Sequence, residues 1–166
     1  MRKSGMRLLT GLLVLFLFSV QSYSLVLFSD NFDGDSSTLN GWQKVASARV
    51  TRYTGTYKVG VASMQLITNS SATTYVKVSP FKNMALTFKM AGYSLETGEK
   101  AICQYDAGAG WITAATLSNT QANGTFVSYS VNIPFATILK IKFLLNGNAA
   151  NDYIYIDDVL LSGDRK

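Results

Sequence analysis

The sequence predicts an all-β protein, an antiparallel two-sheet β-sandwich of about 8–10 strands, on three observations. Two stretches alternate cleanly with period two: Met84, Leu86, Phe88 and Met90 against Ala85, Thr87 and Lys89, and Leu139, Ile141, Phe143 and Leu145 against Lys140, Lys142 and Leu144. Shorter runs of the same kind recur along the chain, separated by clusters of Gly, Asn, Asp and Ser that favour turns. Beyond the N-terminal apolar block no stretch carries helical periodicity of useful length, and the strand spacing is too irregular for a propeller or a repeat array.

The chain opens with Arg2, Lys3 and Arg7, runs through an apolar block from Leu8 to Val20, and reaches small residues at Ser22 and Ser24. This is the layout of a secretory signal peptide. Cleavage after Ser22 or Ser24 suits the small-residue preference, and Ser24 is taken as the boundary, leaving residues 25–166 as one domain without a Pro/Ser-rich linker. An apolar block of about 13 residues falls short of the roughly 20 that cross a bilayer as a helix, so an uncleaved anchor is the lesser reading and no membrane span is expected after cleavage.

After the leader comes LVLF (Leu25 to Phe28), a short strand, then an oxygen-rich loop from Ser29 that closes at Gly41-Trp42. Trp42 follows a turn and opens the next strand, which suits a lid on the sandwich edge better than a sugar platform. Val45 to Tyr57 alternates loosely and reads as a surface hairpin or irregular connection. Ser63–Thr68 is a strand with Met64 and Leu66 on one face, and Thr73–Val78 follows with Thr74, Val76 and Val78 on one side. Pro80 precedes the strand around Met84–Met90, and Tyr93–Lys100 is a loop holding both glutamates, Glu96 and Glu99.

Ala101–Tyr105 and Trp111–Leu117 are joined by DAGAG, whose glycines supply the positive φ angles of a tight hairpin. Val127 to Ile133 alternates until Pro134, Leu139–Leu145 follows, and NGNAAND delivers the chain to the last strand, YIYIDDVLL. Ile154 and Ile156 share a face there, but strict alternation would turn Asp158 inward and Val159 outward. A one-residue bulge at Asp157-Asp158 restores the phase, so that Ile154, Ile156, Val159 and Leu161 all face the core.

Composition narrows the function classes. The formal charge of +5 includes three basic residues of the leader, and the remainder holds 12 basic against 10 acidic residues, which removes the electrostatic case for nucleic-acid binding. Lys140 and Lys142 read as solvating their strand face. The single cysteine, Cys103, precludes an intramolecular disulfide and reads as a small strand residue, and an exported chain without disulfides points to a bacterial envelope or extracellular setting. With no histidine, Ser-His-Asp and Cys-His nucleophile systems and His-based zinc sites are excluded. Asp157 and Asp158 are adjacent, and Glu96 and Glu99 share one loop, so neither makes a persuasive glycosidase pair.

A first strand leading into DNFDG (Asp30 to Gly34), a Gly-Trp, a hairpin carrying Asp106, Gly108, Gly110 and Trp111, and a last strand with IDDV (Ile156 to Val159) together resemble secreted jelly-roll modules, the galactose-binding-like carbohydrate-binding modules and MAM-like adhesion domains. The resemblance spans the mature chain on short motifs. It implies a sandwich of jelly-roll type in which first and last strands are neighbours. It also implies a structural calcium ion held by an acidic residue near the start, Asp30 or Asp33, carbonyls of an early loop at about Thr54 to Gly60, and Asp157 or Asp158 on the last strand. Calcium takes six to eight oxygens, and these residues supply that chemistry; the same aspartates would also serve as turn caps.

The expected function is a secreted, non-catalytic binding module that recognises carbohydrate through loop or sheet-face aromatics. Tyr53, Tyr57, Tyr93, Tyr105 and Trp111 are the candidates because they lie near predicted loops or on polar faces. The alternative is an extracellular adhesion, matrix or cell-surface protein with a protein partner. A polysaccharide-active enzyme is the least favoured reading.

Overall fold

The computed structural model describes residues 23–34 and 39–166, so all but the last two residues of the predicted leader lie outside the described residues. Eleven strands are described: β1 (Ser24–Asp30), β2 (Gln43–Val45), β3 (Val50–Tyr53), β4 (Ser63–Ile67), β5 (Ser70–Lys77), β6 (Phe81–Tyr93), β7 (Lys100–Asp106), β8 (Ile112–Ser118), β9 (Val127–Ile133), β10 (Ile138–Asn146) and β11 (Tyr153–Arg165). They form two antiparallel sheets. The first runs β3-β4-β11-β6-β9 with β1 added along β11, and the second runs β2-β5-β10-β7-β8.

The two stretches with the clearest alternation, β6 and β10, are interior strands of opposite sheets. Their apolar faces meet: Leu86, Phe88 and Met90 from β6 and Leu139, Ile141, Phe143 and Leu145 from β10 are all buried, and Phe88 packs edge-on against Phe143 at 5.2 Å. Cys103 lies in this core, where burial pushes its thiol up, so it stays a neutral packing residue. Trp42 closes one edge: it is buried against Phe28, Phe32 and Phe143, and its Nε1–H donates to Asp30 Oδ2 at 2.8 Å. The lid reading of this residue holds.

The segment from Val45 to Tyr57 is no hairpin. β2 pairs with β5 in the second sheet and β3 pairs with β4 in the first, because a 3-10 turn at Ser47–Arg49 carries the chain from one sheet to the other. β3 and β4 are the strands that pair, across a loop of residues 54–62.

β11 behaves as its phase demands. Pairing with β6 slips between Asp157 and Leu160, Asp158 adopts φ +48°, and Ile154, Ile156, Val159 and Leu161 are all buried. The bulge coincides with a change of neighbour. On one side of β11, β4 pairs with Tyr153–Ile156 and β1 with Val159–Asp164, so first and last strands are neighbours and the Asp pair sits in the gap between two partners. Between those two partners the Asp157 carboxylate accepts main-chain N–H groups of Asp158 and of Val59 in the 54–62 loop.

Candidate functional site

The outer face of the second sheet carries a row of polar side chains in exact cross-strand register. Gln43 opposes Thr73, Thr73 opposes Lys142, Lys142 opposes Gln104, and Gln104 opposes Thr113, one hydrogen-bonding residue from each of the five strands. Gln43 and Thr113 are exposed and the other three half-exposed. With strands about 4.8 Å apart, the row is about 19 Å long.

A second row runs beside it. Tyr75, 50% exposed, opposes Lys140, and Lys140 opposes Asp106. Just past Asp106 stands Trp111, 41% exposed, with Lys142 Nζ 4.0 Å and Lys140 Nζ 6.0 Å from the centre of its ring. Asp106 anchors this corner: Oδ1 accepts the Gly108 and Gly110 N–H groups at 2.8 and 3.1 Å, and Oδ2 accepts Lys140 Nζ at 3.0 Å. The positive φ of Gly108 and Gly110 lets the turn fold back over that carboxylate, as the DAGAG motif predicts. The lysine bond and the turn amides hold the Asp106 carboxyl below its ordinary value, and the same contact raises Lys140. Lys142 has no carboxylate partner among the described residues, and burial lowers its ammonium. Lys140 and Lys142 therefore do more than solvate their strand, since one is tied to Asp106 and the other lies over Trp111.

Three nominated tyrosines converge on the other side of the molecule. Tyr53, Tyr57 and Tyr93 join Tyr153 and Tyr155 on the outer face of the first sheet, around a cleft of about 420 Å³. Tyr105 belongs to neither group. It lies in the sandwich core, 9% exposed, because it alternates with Ala101 and Cys103 on the inward face of β7. Both faces of that strand carry apolar residues, so its sequence alone left the parity open. Gln104, its neighbour, is the residue that faces out.

The acidic candidates divide as well. Asp33 and Asp157 come together under the 54–62 loop. Asp157 is fully buried; Oδ2 accepts the Val59 N–H at 2.7 Å and Oδ1 the Asp158 N–H at 2.8 Å. Asp33 Oδ1 accepts the Val61 and Ala62 N–H groups at 2.6 and 2.9 Å. Burial pushes the Asp157 carboxyl up from 3.8 to about 6, the two amides oppose that shift, and the negative charges of Asp158 and Asp33 add to it. Asp30 accepts the Phe32 N–H and the Trp42 indole, whereas Asp158 pairs with Lys89 Nζ at 2.8 Å. Both line a cleft of about 650 Å³ with Ser29, Asn31 and Thr87.

Among the described residues no group of three or more Asp, Glu, Cys or His stands together as a metal cluster. Asp33 and Asp157 face one loop and their charges repel each other, and each of their four carboxylate oxygens accepts an N–H group. The Thr54 and Gly55 carbonyls of that loop accept Lys58 Nζ at 2.9 and 2.6 Å, so they do not add to the set as they stand.

Sequence reasoning missed Tyr153 and Tyr155 in the cleft, and Tyr75 and Gln104 on the second sheet. Alternation marks Tyr75, Tyr153 and Tyr155 as outward-facing, Gln104 follows only once the structure fixes the parity of β7, and only the order of strands shows which outward residues share a face.

No family model and no curated protein matches the chain. Solved structures do. A carbohydrate-binding module, TmCBM61 in complex with β-1,4-galactotriose, superposes with TM-score 0.61 at 17% identity, covering 75% of this chain and 90% of that one. The K3 cleaved adhesin domain of Lys-gingipain from Porphyromonas gingivalis gives TM-score 0.59 at 11% identity, covering 84% and 99%. The CBM22-1 xylan-binding domain of Paenibacillus barcinonensis Xyn10C gives 0.57 at 13%, covering 89% and 99%. The fold is thus that of carbohydrate-binding modules and adhesin domains.

Proposed function

We propose that this chain is a secreted, non-catalytic carbohydrate-binding module whose glycan lies across the outer face of the second sheet. One observation carries the reading: an in-register row of five hydrogen-bonding side chains, Gln43 to Thr113, bordered by exposed Trp111 and Tyr75. A pyranose chain presents apolar C–H faces and a fringe of hydroxyls. Trp111 and Tyr75 suit the former, while Gln43, Thr73, Gln104, Lys140 and Lys142 suit the latter. Sugar-binding neighbours of the same fold support it.

The test is affinity electrophoresis of the wild type and of Trp111→Ala in gels containing xylan, galactan or glucomannan. Retardation by at least one polymer, lost in Trp111→Ala while the melting temperature is kept, is the expected result. Absence of any polysaccharide with Kd under about 1 mM, together with capture of a cell-surface protein partner, overturns it in favour of an adhesion role.

Within the same reading, Asp33 and Asp157 supply the carboxylates of a structural calcium ion that ties the 54–62 loop to the last strand. An ion there would offset the repulsion between the two carboxylates. Calcium should raise the melting temperature by several degrees over chelator-treated protein, on the order of 5 °C at saturating ion, and Asp33→Asn should remove the difference. Identical melting curves with and without calcium would refute it.

A further inference from the structure

We propose that the tyrosine cleft of the first sheet is a second saccharide site, for an uncharged glycan, so that one molecule holds two carbohydrate chains on opposite faces. The two sites share no residue, and each stands or falls separately.

The rings form a continuous row. Tyr53 and Tyr155 have centroids 4.9 Å apart, Tyr155 and Tyr57 4.8 Å, and Tyr57 and Tyr93 5.4 Å. Tyr155 is the buried floor, its hydroxyl accepting Gln65 Nε2 at 3.2 Å. Tyr53, Tyr57 and Tyr153 are half-exposed and Tyr93 is 44% exposed. The sandwich core lies on the other side of these strands, so this aromatic area is not needed to fill it. A contiguous aromatic patch on the solvent side of a sheet is the mark of an interaction surface.

The lining selects the ligand. Besides the tyrosines the cleft is bounded by Gln65 and Ile67, with no charged side chain. A charged ligand would lose hydration there and find no counter-charge. A neutral sugar places its C–H face on the rings and its hydroxyls against phenol oxygens, and tyrosine offers both kinds of contact. Beneath the rings β4, β11 and β6 are interior and only β3, at the sheet edge, has a free side, so the floor of the cleft itself offers a peptide no ladder to join.

The cleft is also built rather than accidental. A Cβ at Gly55 would overlap the Tyr53 hydroxyl, and a Cβ at Gly124, where φ is +81°, would overlap the Tyr57 ring, so two glycines leave the space that the rings occupy. The 54–62 loop that carries Tyr57 is pinned by Asp33 and Asp157 at Val59, Val61 and Ala62. Rings held this way need little ordering when a ligand arrives, and that favours affinity.

The experiment is isothermal titration of the full-length protein with xylohexaose and β-1,4-galactotriose, using wild type, Trp111→Ala and the double variant Tyr93→Ala/Tyr153→Ala. Both tyrosines are partly exposed, and circular dichroism checks that the variant is folded. The expected result is binding to the double variant weakened by roughly tenfold or more at one class of sites, with the Trp111-dependent class unchanged. Wild type should raise the turbidity of a soluble neutral polysaccharide by bridging chains, and either variant should not. Unchanged affinity and stoichiometry in the double variant overturns the second site and leaves the Trp111 face intact; binding that survives Trp111→Ala and vanishes in the double variant does the reverse. No heat with any neutral probe overturns the proposal.

Discussion

Replacing Asp157 by Asn should change how stability depends on pH, and its size follows from the burial of one carboxylate. Asp157 ionises near 3.8 in an unfolded chain and near 6 in the fold. Between those values the folded state holds a proton that the unfolded state has released, so this residue's contribution falls as pH rises from about 4 to about 6 and is level above that. A shift of about two units corresponds to about 3 kcal/mol across the window. The assay is urea denaturation at several pH values between 4 and 7 in calcium-free buffer, comparing wild type with Asp157→Asn. Wild type should lose stability across the window through this group, and the variant should lack that component, although its absolute stability falls because an amide cannot accept both the Val59 and Asp158 N–H groups. Calcium, if bound as proposed, favours the ionised form and should flatten or reverse the wild-type slope. Equal slopes in the two calcium-free proteins would refute the burial argument.

Other expectations follow from individual contacts. Gly124→Ala should cost about 1–3 kcal/mol in thermal denaturation, because its φ is +81° and the added methyl meets Tyr57; the same change should quench saccharide binding at the tyrosine cleft first. Trp42→Phe keeps most of the apolar contact with Phe28, Phe32 and Phe143 but removes the donor to Asp30, and a loss of about 1–3 kcal/mol by urea titration is expected. Asp106→Ala frees the Gly108 and Gly110 amides and releases Lys140, so the β7-β8 turn should gain faster amide hydrogen exchange, with Trp111-dependent binding weakened alongside it. Phe143→Ala removes the ring on which Trp42 and Phe88 pack and should destabilise by about 3–5 kcal/mol.

The residues themselves determined the strands that matter most. Alternation in β6 and β10, the DAGAG turn and the bulge in YIYIDDVLL were all legible, because a half-buried strand must put apolar groups on alternate positions and a phase error must be absorbed by an extra residue. Trp42 as a lid was legible from its place just after a turn, whereas Cys103 was legible only as a small strand residue and the structure put it in the core. Sheet membership was not: nothing local in Val45 to Tyr57 says that β2 and β3 part to opposite sheets, since pairing between strands distant in sequence depends on the whole chain's packing. That same ordering decided the sites. It gathered Tyr53, Tyr57 and Tyr93 with Tyr153 and Tyr155, separated them from Trp111, and aligned five polar residues from five strands into one row. It also sent Tyr105 inward and brought Asp33 and Asp157, which stand near opposite ends of the domain, to the gap where β11 changes partner from β4 to β1. Local periodicity tells each residue which side of its strand it takes, and only the tertiary order of strands tells it whom it meets there.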